Sequence, residues 1–266
     1  MSFCSSLLSC TNDDSFLAHD FETQQNRALS IYTGNYNIYQ IAKKVSLPSA
    51  STTKLNSVIT NCCNDYPVIK WLHNYAKDKK YNFSDVNITS KGMNGNPAAY
   101  DHSTKILSFL TSNAINNTTY PEEFIHMNQD NVYFGGIGTY EKTAMLNIEF
   151  ESKFIQDVIH APYGTQLVGS GNKYYNSYIN WVYSFNPTSS FPNFTAVESG
   201  YNNISWWQFA QDFKESSPSP YKDYVMSNVL VAKLIDIIGN NFGKNTKSIA
   251  LRSEEHTSEL QSLSRI

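Results

Sequence analysis

Apolar residues recur at roughly helical spacing over most of this chain, and the pattern predicts a largely helical protein. Helices are predicted over residues 24–45, 54–62 and 67–79, where Pro67 suits a first turn. Further helices are predicted in the last third of the chain, over residues 174–185, 206–215 and 224–239. The pattern shows no internal repeat, and no apolar run of about 20 residues that would span a membrane.

Shorter apolar runs in the middle of the chain predict a small sheet. Residues 85–89 alternate, the stretch GMNGNP over residues 92–97 breaks the pattern, and residues 98–110 give two apolar runs around a polar turn. We therefore expect two or three antiparallel strands within an α+β fold that is mostly helical.

Two more helices are predicted after the strands. The first begins near residue 120, in the stretch YPEEFIHMNQ, where Thr118 or Thr119 can cap it and Pro121 suits its first turn. It ends at a pair of glycines, and the second follows over residues 143–160.

The polar residues of the helix near residue 120 pose the functional question. Glu122 and His126 stand four apart and share one helix face, whereas Glu123 points about 100° away. This pair is suited to hold a metal. The plainer interpretation is that the glutamates cap the helix and that the histidine is a hydrogen-bonded core residue.

Composition excludes some classes of function. The chain has 266 residues, of which 41% are hydrophobic, so it can form one substantial core. The formal net charge is −3, without the basic surface that nucleic-acid binding requires, so we expect no nucleic-acid partner. None of the four cysteines has zinc-ribbon or CxxC spacing, so cysteine-based metal binding is not expected.

The two ends of the chain resemble processing and cloning segments. SLLSCTNDDS resembles the end of a bacterial lipoprotein signal, which implies acylation of Cys10, although only nine residues precede it. RSEEHTSELQS, residues 252–262, resembles a translated sequencing adapter. We therefore expect a truncated signal and linker over residues 1–23, and an artefactual tail over residues 251–266.

The order of the predicted elements resembles the zincin metallopeptidases, in the branch whose third zinc ligand is a glutamate on a later helix, the gluzincins. That order is a helix, edge strands, a helix carrying EExxHxxQ, a glycine-containing loop and a helix carrying NxExE. The resemblance implies one zincin-like domain over residues 24–250. Its core would span residues 67–160, with the hairpin AAYDHSTKILSF beside the substrate, and residues 161–250 would form a helical C-terminal part.

The same resemblance implies roles for individual residues. In HExxH, two histidines bind zinc and the glutamate is the general base, which implies that His126 is a ligand and Glu123 the base. The third ligand would be Glu149 or Glu151. Glu122 stands where the family has its first histidine, so the site would be harder, more anionic and less selective for zinc.

Helical geometry leaves the choice between Glu149 and Glu151 open. Glu151 lies nearer the apolar arc of its helix, whereas Glu149 stands at the border, three residues before Ser152. A small residue at that distance is typical of gluzincins, so the resemblance favours Glu149. The other glutamate would orient His126 or Gln129.

Two further interpretations concern other residues. Tyr100 in the hairpin and Tyr140 in the loop are candidates for stabilising an oxyanion. A different metal arrangement would combine the ExxH of residues 123–126 with the DxxH of residues 157–160, as in di-iron helix bundles. The absence of the further glutamates of such bundles argues against it.

Two functions from different classes follow. The first is a lipid-anchored metallohydrolase of the bacterial cell envelope, periplasmic or surface-exposed, that uses a divalent metal, zinc foremost, on a peptide or protein. The second is a non-catalytic surface lipoprotein that binds a peptide, glycan or host protein through aromatic residues such as YNNISWW, residues 201–207. In both, the lipid anchor is the contact with the membrane.

Overall fold

The computed structural model describes four stretches of the chain, residues 36–163, 167–185, 187–216 and 221–243. Predictions for Cys10, for most of the helix over residues 24–45 and for the adapter-like tail lie outside these stretches. Over the described residues the fold is α+β and mostly helical, as predicted. None of the described helices is both long and apolar enough to cross a membrane.

A pair of helices begins the described part of the chain. Helix α1 is Ser49–Asp65 and helix α2 is Pro67–Lys79, with Pro67 in the first turn as predicted. The helix predicted for the preceding segment is wrong for residues 36–45, which contain only a 3₁₀ turn at Ile38–Gln40. The reason is that the backbone of this segment forms hydrogen bonds with Phe83 instead.

Three strands form one small sheet. They are β1, Asp85–Ile88, β2, Ala98–Asp101, and β3, Ile106–Phe109, in the order β1-β3-β2. β2 and β3 form the predicted antiparallel hairpin, which confirms two antiparallel strands, but β1 pairs parallel to β3, so the alternative of three antiparallel strands is wrong. After β1 the chain does not form a neighbouring strand. It passes the position that β3 later takes and forms β2 on the far side. This leaves β2 as an edge strand, packed beside the next helix.

The two helices at the centre of the fold are α3, Thr119–Val132, and α4, Met145–His160. α3 begins without a side-chain cap from Thr118, because Asn116 Oδ1 accepts the N–H groups of Thr118 and Thr119 at 2.9 and 3.0 Å. α4 is buried on all sides from Leu146 to Ile159, which is typical of a central core helix. Polar side chains between α3 and α4 are therefore held away from bulk water.

Four helices complete the described chain: α5, Tyr175–Tyr183; α6, Phe194–Glu198; α7, Trp206–Ser216; and α8, Lys233–Asn241. The helix predicted over residues 224–239 begins only at Lys233. The residues before Lys233 are hydrogen-bonded to α4 instead. Leu146 N donates to Val225 O at 3.0 Å, and Asn147 and Ser227 form two hydrogen bonds.

Aromatic side chains fill the core between α4 and the C-terminal helices. Trp206 is 1% exposed and packs against Phe150, Phe154 and Trp181. The YNNISWW stretch therefore contributes its first tryptophan to the core, and not to a binding surface.

Candidate metal centre

Three side chains meet where α3 packs against α4. Glu122 and His126 lie one turn apart on α3, and Glu149 approaches them from α4. One ligand atom from each of the three lies within 4.8 Å of the other two. Within the described stretches no other group of three such residues converges in this way. The group can hold a metal ion.

The three side chains border a cavity of about 290 Å³. Glu123 and the edge strand β2 lie along it, together with Tyr221 and Tyr224 from the segment before α8. The other lining residues are Asn96, Pro97, His102, Thr119, Ile137 and Met145. The candidate metal ligands and the edge strand β2 therefore border the same cavity.

Gln129 fixes the orientation of the His126 ring. Its Nε2 donates to Ile148 O at 2.9 Å and to Glu151 Oε2 at 2.8 Å, so its oxygen faces His126. That oxygen, Oε1, accepts from His126 Nδ1 at 2.8 Å. Because Nδ1 then carries a proton, Nε2 is the ring atom available to a metal.

Glu151 lies in the interior, away from the cavity. Its Oε1 accepts the N–H groups of Leu234 and Ile235 in the first turn of α8, at 2.7 and 3.0 Å. Its Oε2 accepts from Gln129 and from the hydroxyl of Tyr133, both at 2.8 Å. Burial raises the pKa of Glu151, although these donors oppose the shift. The structure therefore gives Glu151 a supporting position behind Gln129.

Glu149 has the opposite surroundings. Its Oε2 lies 3.7 Å from His126 Nε2, and its side chain is 11% exposed toward the cavity. Among the described residues, no hydrogen-bond donor contacts its carboxylate. Of the two glutamates on α4, Glu149 is therefore the one whose carboxylate oxygens are available to bind a metal ion.

Lys153, one turn after Glu149, was missed in the sequence. Its ammonium contacts Glu122 Oε1 as a hydrogen-bonded ion pair. Burial opposes the ionisation of Glu122, but Lys153 and then His126 outweigh it and hold the pKa of Glu122 below its usual value. The signal was available, because positions 149 and 153 share one helix face.

Charge also shifts the pKa of His126 and Glu123. Burial lowers the pKa of His126, but Glu149, Glu123 and Glu122 oppose it and leave the pKa raised. Burial raises the pKa of Glu123 to about 7. The backbone N–H of Tyr100 on β2 donates to Glu123 Oε2 at 2.6 Å, which fixes this carboxylate beside the edge strand.

Three tyrosines line the cavity, and one of them, Tyr100, is among the two expected from the sequence. The Tyr100 hydroxyl donates to Asp130 at 2.9 Å, and Tyr140 packs against Tyr133. Tyr221 and Tyr224 line the cavity as well, and burial followed by the charge of Glu149 raises the pKa of both hydroxyls. They follow α4 by more than sixty residues, so no spacing in the sequence indicated them.

The di-iron arrangement is not formed. Asp157 accepts from Val168 N at 2.6 Å, from Gly169 N and from the Tyr178 hydroxyl, both at 2.8 Å, and His160 packs against Tyr66. Neither side chain joins the group around His126.

No protein-family model matches the chain, and comparison with curated proteins and with solved structures gave no similar protein. The zincin resemblance therefore stays a prediction. The centre itself fits a divalent cation by its donor chemistry, because two carboxylates and an imidazole with a free Nε2 form a ligand set common to zinc and manganese.

Proposed function

We propose that this protein is a divalent-metal-dependent hydrolase of peptide-like substrates. The observation that carries the proposal is the convergence of Glu122, His126 and Glu149 on a cavity that also contains Glu123 and the edge of β2. A carboxylate, a candidate cation site and the edge strand β2 thus border the same space.

The cation would supply Lewis acidity, which polarises a substrate carbonyl and makes nearby water a better nucleophile. Zinc is the first candidate, and manganese the second because two of the three donors are carboxylates. Gln129 keeps Nε2 of His126 free for this role.

Glu123 is the proposed general base. It lines the cavity beside the metal group without belonging to it, as a proton acceptor for water must. With a pKa of about 7, its carboxylate is balanced between binding and releasing a proton near neutral pH.

The edge of β2 is the proposed substrate-binding strand. The N–H of Tyr100 points away from β3 to Glu123, and strand alternation turns the backbone groups of Ala98 to the same side. An extended peptide can add to such an edge through main-chain hydrogen bonds, largely independent of its side chains. Tyr221, which also lines the cavity, is the proposed donor to the oxyanion.

The location at the cell envelope remains part of the proposal. Its support is the SLLSC sequence with its acylatable Cys10, which lies outside the described residues.

Metal binding and hydrolysis test the proposal together. We expect zinc or manganese to raise the melting temperature of the metal-stripped protein, and His126→Ala to abolish that rise. We expect Glu123→Gln to keep the rise but to lower hydrolysis of denatured protein substrates about 10²- to 10⁴-fold. Glu198→Gln, an exposed glutamate on α6, is the matched control and leaves both unchanged.

A non-catalytic binding protein is the second candidate, and the Lys153 contact favours it, because it satisfies Glu122 without any metal. An unchanged melting temperature with either metal, together with no hydrolysis, would decide for this candidate and against the enzyme.

A further inference from the structure

Lys153 is the one cationic side chain of the described residues that is both buried and in contact with a candidate ligand. Its side chain is 10% exposed, and its ammonium reaches across from α4 to Glu122 on α3. A lysine is rarely buried unless it has a partner, and here the partner belongs to the metal group.

The charge of the group explains what Lys153 does there. A neutral imidazole at position 122 would add no charge to the centre, whereas the Glu122 carboxylate adds one negative charge. The ammonium of Lys153 adds one positive charge beside it. The Glu122–Lys153 pair is therefore neutral as a unit, as a neutral imidazole at position 122 would be.

The contact is compatible with metal binding. Lys153 contacts Oε1 of Glu122, and a carboxylate has a second oxygen that can bind elsewhere. The contact and the convergence of the three ligand atoms within 4.8 Å occur in the same structure. Lys153 can therefore stay on Oε1 of Glu122 while the other oxygen, Oε2, binds a cation.

We propose that Lys153 is a charge-compensating residue that shares Glu122 with the bound cation. This inference rests on the proposed metal site and adds to it. Lys153 lowers the affinity of the centre for a cation, because it places a like charge nearby, and in exchange it offsets the excess negative charge that weakens Lewis acidity. Without a cation, it keeps Glu122 from being a partly buried, unpaired charge.

The test compares Lys153→Met with Lys153→Arg in the full chain. Zinc and manganese affinities are measured by competition with a chelator, and melting temperatures are measured on metal-stripped protein. Lys153→Met should bind either metal at least about tenfold more tightly and melt at a lower temperature when metal-free. Lys153→Arg should stay within about threefold of the parent. The matched control is Lys79→Met, an exposed lysine on α2.

A background of Glu122→His separates charge compensation from a merely structural role. With a neutral ligand at position 122, Lys153→Met should raise the metal affinity several-fold less than it does beside Glu122. A structural role predicts the reverse sign, because disordering the helix contact would weaken metal binding.

Each outcome has a definite meaning. If the parent binds metal and Lys153→Met binds it no more tightly, the inference is wrong and the proposed metal site stands. If neither protein binds zinc or manganese, the proposed function fails and this inference fails with it. If only Lys153→Met binds, Lys153 excludes the cation instead of sharing its ligand, which also overturns the inference.

Discussion

Glu149 and Glu151 lie two residues apart on one helix, and the structure surrounds them with opposite environments. Glu151 receives four hydrogen bonds, two of them from the first turn of α8. Glu149 faces the cavity, with His126 as its nearest partner at 3.7 Å. Both carboxylates are buried, so burial alone does not separate them.

The difference teaches that hydrogen-bond satisfaction distinguishes a candidate ligand from a supporting residue. A carboxylate has about four acceptor positions, and in Glu151 the protein fills them all. A carboxylate that the protein leaves open inside a cavity can be completed by a cation or by water. Three predictions follow from this contrast.

The largest effect should come from removing each glutamate in turn. Glu151→Ala leaves two backbone N–H groups of α8 without their acceptor and removes the nearer of the two acceptors of the Tyr133 hydroxyl, so we expect the free energy of unfolding to fall by about 3–5 kcal/mol. Glu149→Ala should change it by about 1 kcal/mol or less in metal-stripped protein. Urea denaturation measures both, and the contrast breaks down if Glu149→Ala is the more destabilising.

The second prediction extends the contrast to pH. Asp157 is another buried carboxylate whose acceptor positions are taken by the protein, and burial raises its pKa from 3.8 to about 7 despite these donors. The folded state then binds a proton that the unfolded state has released. The contribution of Asp157 to stability is therefore fully present below about pH 4 and is lost, by up to about 4 kcal/mol, as pH rises to about 7.

Asp157→Asn should flatten this decline, and urea denaturation across the pH range measures it. Asp78→Asn, at an exposed position of α2, serves as the control and should keep the parent slope. An unchanged slope in Asp157→Asn would mean that this carboxylate stays ionised in the fold. Glu123 and Glu151 add slopes of the same sign, because their pKa values are raised as well.

The smallest effect concerns the link between the two glutamates. Gln129 connects Glu151 to His126, so Gln129→Met should free the imidazole to turn and lower zinc affinity about tenfold. Chelator competition measures the change. Gln211→Met, on α7 and outside the lining of the cavity, is the control. Equal affinities for parent and Gln129→Met would show that packing alone orients the ring.

Much of the helical architecture could be predicted from the sequence, because the local spacing of apolar residues indicates helices. α2, α3 and α4 begin within a few residues of their predicted positions. The β2–β3 hairpin was also local. The parallel pairing of β1 and the late start of α8 were not, because each depends on contacts with distant segments that periodicity does not encode.

The candidate site shows the same distinction between local features, which could be predicted, and contacts between distant segments, which could not. Helical spacing placed Glu122 and His126 on one face, and family resemblance favoured Glu149 as their partner on α4. The separation of Glu149 from Glu151 depends on α8, whose N–H groups occupy one of them. Lys153 could have been predicted, because it lies one helical turn after Glu149. Tyr221 could not, because nothing in its own segment of sequence indicates that it lines the cavity.

The hydrogen bonds from α8 to Glu151 also set an order of assembly. Leu234 lies 83 residues beyond Glu151, so the carboxylate that steadies Gln129, and through it His126, has no partner at its Oε1 until the chain beyond α7 has been synthesised and docked. A growing polypeptide would therefore carry an unfinished centre until α8 has been synthesised. Competence would arrive only with the last described helix.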